Sequence, residues 1–189
     1  MDKCYKEISS HDLMETSFNH YNEYFKIKKT LINKRINSIV NKISKLKRNK
    51  IVIISGYPGS GKSTITSLLK HIGYKVLSMD DDGIRSYREL SDITLRDIER
   101  STKHIVLDGT FMKQREIDIF LWVNDLSHYD LLHIYINIPI HYAYFNNVNR
   151  CLDKRNKRKL IPYKIYKLME RNNDIVLSKK GVYIVHYDL

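Results

Sequence analysis

Nine consecutive residues, Gly56-Tyr57-Pro58-Gly59-Ser60-Gly61-Lys62-Ser63-Thr64, combine three glycines, one ammonium and neighbouring hydroxyls. Glycines let successive backbone N–H groups turn around an anion, a lysine adds a point charge, and a serine hydroxyl suits a hard divalent cation. The spacing is that of G-x-x-x-x-G-K-[ST], the phosphate-binding P-loop. Its context also fits: the apolar run Ile51-Val52-Ile53-Ile54 reads as a buried strand before it, and Lys62 to His71 reads as an amphipathic helix after it. Gly56, Pro58, Gly59, Ser60, Gly61, Lys62, Ser63 and Thr64 are therefore expected to bind a nucleoside triphosphate, with Lys62 on the β- and γ-phosphates and Ser63 on Mg²⁺. The plainer alternative is a glycine turn without a ligand, and the strand and helix on either side argue against it.

A P-loop alone does not separate a kinase from a GTPase, a motor or a transport ATPase. Transfer to a hydroxyl further requires a carboxylate to orient or deprotonate the acceptor and cations on the moving phosphoryl group. Asp82 and Arg85 offer the first, one helical turn apart after the strand Tyr74–Met79, with Asp82 as base and Arg85 on an anionic group. Asp82 could equally cap a helix starting at Gly83. Asp108, closing the strand His104–Leu107, would hold Mg²⁺ through water or orient Lys62, with Thr110 lining the acceptor site. The run Arg150 to Lys159, rich in Lys and Arg against the single acid Asp153, has the place of a lid over about 150–160. Arg150, Arg155 and Arg158 are its candidates for stabilising phosphate charge, Arg155 first, although most charge runs are solvated loops.

These residues need strands that end together and helices that cover them. Strands are expected at Ile51–Ile54, Tyr74–Met79, His104–Leu107, Leu131–Ile138 and Val182–Val185. Helices are expected over Lys62–His71, two short segments within Tyr87–Ser101, Lys113–Leu126, Ile140–Arg150 and Pro162–Asn172. The alternation predicts an α/β fold, a three-layer α/β/α arrangement on a parallel sheet of about five strands, with ligands at the strand carboxyl ends. Residues 51–189 would form this kinase core. Residues 1–50 add a helical segment over roughly His11–Leu46, in which Phe18, Tyr21, Phe25, Ile32, Ile36, Ile39, Ile43 and Leu46 recur at helical spacing. Its outer face is basic, with ten Lys or Arg and no acid between Lys26 and Lys50.

The whole chain is consistent with one domain: 189 residues, formal charge +12 and pI near 9.5. The charge favours a polyanion such as nucleic acid, while the excess of Lys over Arg is also what AT-rich coding would produce. No apolar run approaches the length of a membrane span and no signal-peptide pattern opens the chain, so a cytoplasmic protein is expected. Cys4 and Cys151 stand far apart without metal-ligand spacing, and any metal is expected to be Mg²⁺ carried with the nucleotide.

The P-loop, Asp-x-x-Arg at Asp82–Arg85, Asp-x-Thr at Asp108–Thr110 and the Arg-rich lid before Ile161-Pro162 together resemble the 5′-hydroxyl polynucleotide kinases among the small P-loop kinases. The resemblance covers about residues 51 to 172. It implies ATP as donor, Lys62 and Ser63 on phosphates and Mg²⁺, Asp82 as general base, and a lid arginine, here Arg155, on the phosphates. The triplet Asp80-Asp81-Asp82 leaves the base open between Asp80 and Asp82, and it also resembles the acidic motif of adenylylsulfate kinases. Three readings stand at this point: a kinase for the 5′-OH of DNA or RNA, a small-molecule kinase of the same fold, and a non-catalytic nucleotide-binding module.

Overall fold

The computed structural model describes residues 33–79, 83–100, 103–120, 129–152, 160–174 and 182–186. Five parallel strands, β1 (Asn49–Ser55), β2 (Lys75–Ser78), β3 (His104–Asp108), β4 (Tyr129–Asn137) and β5 (Val182–His186), form one sheet in the order β2-β3-β1-β4-β5. The helices are α1 (residues 33–44), α2 (Lys62–His71), α3 (Tyr87–Glu99), α4 (Gln114–Asp118), α5 (Ile140–Leu152) and α6 (Tyr163–Arg171). β1 is central because its near-continuous apolar run can be buried on both faces, and the side-chain parity shows how. Val52 and Ile54 join Val106, Ile134 and the helix residues Ile65 and Leu69 of α2 on one face. Ile51 and Ile53 join Ile105, Leu107, Leu90 of α3 and Ile117 of α4 on the other. These are the three layers expected from the alternating pattern.

α1 packs on the α2 face through Ile36, Ile39, Val40 and Ile43. Three of these belong to the periodic apolar set and Val40 is an addition to it. Leu46 falls beyond the helix and is 37% exposed, and the apolar positions before residue 33 lie outside the described residues. Lys34, Arg35, Lys42, Lys45, Lys47 and Arg48 are exposed, as the basic face requires. Lys50 is not: it is 1% exposed, and its Nζ donates to the Leu46 carbonyl at 2.6 Å, satisfying a carbonyl past the end of α1. Burial holds the Lys50 pKa below its ordinary value, partly offset by Asp130.

Two stretches depart from expectation. Residues 83–86 are not helical, so α3 begins at Tyr87 and continues as one helix to Glu99 instead of two short ones. Ser86 is its N-cap, accepting from the Glu89 N–H at 3.1 Å, while the Glu89 carboxylate accepts from the Arg85 N–H at 2.8 Å. This Ser-x-x-Glu capping arrangement takes the place of the cap expected from Asp82. α4 ends at Asp118, short of Leu126, and residues 121–126 lie outside the described residues.

Beneath the P-loop, Ser55 Oγ and His133 Nε2 are 2.5 Å apart and both side chains are buried. The pair ties the last residue of β1 to β4 immediately before Gly56. Burial drives the His133 pKa down from 6.5 to about 4. Between those values the unfolded chain binds a proton that the folded chain does not, so stability is lost as pH falls through that window. The loss should reach on the order of 3 kcal/mol at pH 4. Urea unfolding at pH 7, 5.5 and 4.5 reads it, and His133→Gln should flatten the dependence; an unchanged slope in that variant would assign the acid sensitivity elsewhere.

Candidate phosphate-binding site

The loop after β1 is shaped by glycines where a side chain is least tolerable. Gly56, Gly59 and Gly61 have φ of 145°, 80° and 98°. A Cβ on Gly59 would stand 2.3 Å from the carbonyl oxygen of Ala143 in α5, so the loop tip packs directly on a helix backbone. α2 then starts at Lys62 without any side-chain cap, leaving its first N–H groups toward the loop. Lys62 Nζ donates to the carbonyls of Gly56 at 2.8 Å and Tyr57 at 3.0 Å, which places the ammonium at the loop's mouth.

Asp108 stands beside this loop by register: it pairs with Ile54, and the Gly56 N–H donates to the Thr110 carbonyl at 3.1 Å. Thr66, one turn into α2, donates through Oγ1 to Asp108 Oδ2 at 3.1 Å, within reach also of the Lys62 carbonyl. The following turn is strained. Phe111 has φ 40°, rare for a residue with a Cβ, and is fully buried with its N–H donating to Tyr87 Oη at 3.2 Å. Packing against Tyr87 and Phe120 holds the conformation.

These groups open into one cavity of about 780 Å³, lined by Pro58, Gly59, Gly61, Lys62, Ser63, Asp108 and Thr110 from the strand ends and loop. Ser67, Lys70, Val76 and Ser78 line it along α2 and β2, and Asn147, Arg150, Ile161 and Met169 line it from α5 and α6. The P-loop residues, Asp108, Thr110 and Arg150 are thus brought together. Gly56 and Ser60 are buried in the loop's base, and Thr64 is exposed away from the cavity. Arg85 is exposed and is not among the cavity residues, and the chain from Gly83 to Ser86 is not helical. Asp80, Asp81, Asp82, Arg155 and Arg158 lie outside the described residues.

The donor set fits a nucleoside triphosphate with Mg²⁺: a left-handed glycine loop, a lysine at its mouth, and the hard oxygens of Ser63 and Asp108 on facing elements. Such an ion would supply charge neutralisation at the phosphates. Thr66, which bonds to Asp108, and Asn146 and Tyr166, which bond to carbonyls of the loop, are contacts that the sequence reading does not include. Thr66 had a local signal, four residues after Lys62 and so on its face of α2. Asn146 and Tyr166 had none.

No protein-family model matches this sequence. No curated protein matches it in sequence either. Among solved structures, a fungal RNA kinase is similar with a TM-score of 0.52 at 19% identity, over 72% of this chain and 73% of that one. The fold is that of the P-loop kinases. A gluconokinase from Sinorhizobium meliloti 1021 is similar at a TM-score of 0.49 and 12% identity, covering 74% of this chain and 83% of that one. The deoxyadenosine kinase from M. mycoides follows at a TM-score of 0.44 and 16% identity, covering 75% and 92%. At these identities the likeness is one of fold, and the chemistry of this P-loop kinase fold has to be read from its own side chains. Among the described residues, no helix is long and apolar enough to cross a membrane.

Proposed function

We propose that this chain is a kinase that transfers the γ-phosphoryl group of ATP, with Mg²⁺, to a hydroxyl, and that the acceptor is the 5′-OH of DNA or RNA. The observation that carries the reading is the convergence of Lys62, Ser63, Asp108 and Arg150 on one cavity at the carboxyl ends of the strands. Lys62 and Arg150 bring positive charge to the phosphates, Ser63 and Asp108 offer oxygens to the metal, and Asp82 serves as base with Arg85 on the acceptor side. Arg155 adds to Arg150 from the lid. The nucleic-acid acceptor rests on the basic surface of α1 and the excess positive charge of the chain, together with the shared fold of an RNA kinase. The preceding helical segment is part of the proposal as a basic flank to the kinase core.

The test is incubation with γ-labelled ATP, Mg²⁺ and a panel of acceptors: 5′-OH oligodeoxynucleotides, 5′-OH oligoribonucleotides, nucleosides, sugars and adenylylsulfate. Label on oligonucleotide 5′ ends is the expected result. Transfer only to small acceptors would select a small-molecule kinase, and ATP binding without transfer to any acceptor would select the non-catalytic module.

A further inference from the structure

The tip of the phosphate-binding loop is held from outside by a helical hairpin that the sequence motif does not contain. Tyr166 of α6 is fully buried, and its Oη donates to the Pro58 carbonyl at 3.0 Å. Asn146 of α5 donates through Nδ2 to the very next carbonyl, that of Gly59, at 2.9 Å. Between them, the Gly59 α-carbon lies against the Ala143 carbonyl so closely that no side chain fits. Asn147 Nδ2 donates to the Ile161 carbonyl at 3.3 Å, tying α5 to the segment that opens α6, so the two helices act on the loop as one unit. Tyr57, Ala143, Tyr144, Val148 and Tyr166 fill the apolar space beneath, with Tyr144 edge-on to Tyr166 at 5.6 Å. Burial pushes the Tyr166 phenol well above its ordinary pKa, against the opposing charge of Arg150, so it stays a donor throughout the working pH range.

We propose that Tyr166 and Asn146 are positioning residues for nucleotide binding: by taking two consecutive carbonyls of the loop tip, they hold it in the one shape that receives the phosphates. In a planar trans peptide the C=O and the following N–H point in opposite directions. Fixing the Pro58 carbonyl on Tyr166 therefore turns the Gly59 N–H away from α6. Without that bond the carbonyl of half-buried Pro58 loses its protein partner, and the tip gains other conformations that satisfy it. Apparent affinity then falls by the fraction of molecules whose loop stays competent. The inference rests on the nucleotide-binding reading of the loop, and it does not depend on which hydroxyl is the acceptor.

The experiment is calorimetric titration of the full chain with MgADP and with an ATP analogue, for wild type, Tyr166→Phe, Asn146→Ala and Val148→Ala, alongside thermal melts without nucleotide. Tyr166→Phe keeps the ring and its packing. Its Kd for both ligands is expected to rise about five- to tenfold, and Asn146→Ala to do the same, each equivalent to one lost hydrogen bond. Val148→Ala thins the same apolar cluster and should lower the melting temperature while leaving Kd within about twofold. Under steady-state assay the two polar variants should raise KM for ATP and keep kcat. Unchanged affinity in Tyr166→Phe and Asn146→Ala overturns the proposal, as does a Kd that follows melting temperature across all three variants. A wild-type chain that binds neither ligand instead removes the nucleotide reading itself, and the proposal with it.

Discussion

Lys62→Met should lower phosphoryl transfer by on the order of 10³-fold while the variant remains folded. Methionine is unbranched like lysine, only one atom shorter and similar in helix propensity, so α2 should still begin at this position. What it lacks is the charge that Nζ holds at the loop mouth, where it donates to the Gly56 and Tyr57 carbonyls. In the reaction that charge would move onto the phosphates, where a fixed cation stabilises the developing charge. The loss should fall mainly on kcat, because charge builds on the phosphoryl oxygens as the transition state forms. Initial rates with labelled ATP and the best acceptor of the panel measure the effect, with circular dichroism as the check on folding. Activity within tenfold of wild type would mean that the chemistry is not done at this loop.

Gly59→Ala should be more damaging than the same change at Gly56, Gly73, Gly83 or Gly109, because only at Gly59 would the new Cβ come so close to helix backbone. Two costs add. A φ of 80° places an L-residue in the left-handed region, at roughly 1–2 kcal/mol. The new Cβ would also lie 2.3 Å from the Ala143 carbonyl oxygen. No rotamer change relieves a clash with helix backbone, so α5 or the loop must move, at about 1–3 kcal/mol for an overpacked site. A total near 3 kcal/mol corresponds to a melting temperature lowered by roughly 6–12 °C in a chain of this size. Gly73 is the internal control. Its φ is 95°, but nothing lies within 4 Å of its would-be Cβ, so Gly73→Ala carries the conformational cost alone. Thermal melts of the two variants side by side separate the terms; equal melting temperatures would show that the approach of loop and α5 is not tight. ATP affinity should also fall in Gly59→Ala and hold in Gly73→Ala.

How much of this was readable beforehand depended on how far apart in sequence the cooperating groups are. β1, the loop and α2 are contiguous, and their patterning alone placed the P-loop and the helix Lys62–His71 at the observed bounds. The position of Asp108 beside the loop was also legible, because an acid that ends an apolar strand must appear at the carboxyl edge of a parallel sheet. The start of α3 at Tyr87 agrees with the expected span, and Ser86 and Glu89 carry its capping-box spacing, but the polar stretch is one continuous helix to Glu99 instead of two short ones. Lys50 was counted with the solvent-facing cations since neighbouring charges concealed that its position, next after Asn49 at the start of a central strand, is buried.

The sequence by itself determined the strand, P-loop and helix at the centre of the fold. Glycine spacing, a lysine and a serine at the start of a helix constrain the backbone within nine residues, and no distant contact is needed to see what they would hold. The strand order was beyond it, and with that order came the neighbours of the loop. Pairing of β1 with β3 set Asp108 against Ile54 and gave it Thr66 as a partner 42 positions away. Folding of α5 and α6 over the loop brought Tyr166 to Pro58 across 108 positions. A tyrosine at helical spacing among apolar residues reads as core, and Tyr166 is core. Only the tertiary structure shows that its one polar atom ends on the phosphate-binding loop, because a hydrogen bond between distant segments leaves no period in the chain.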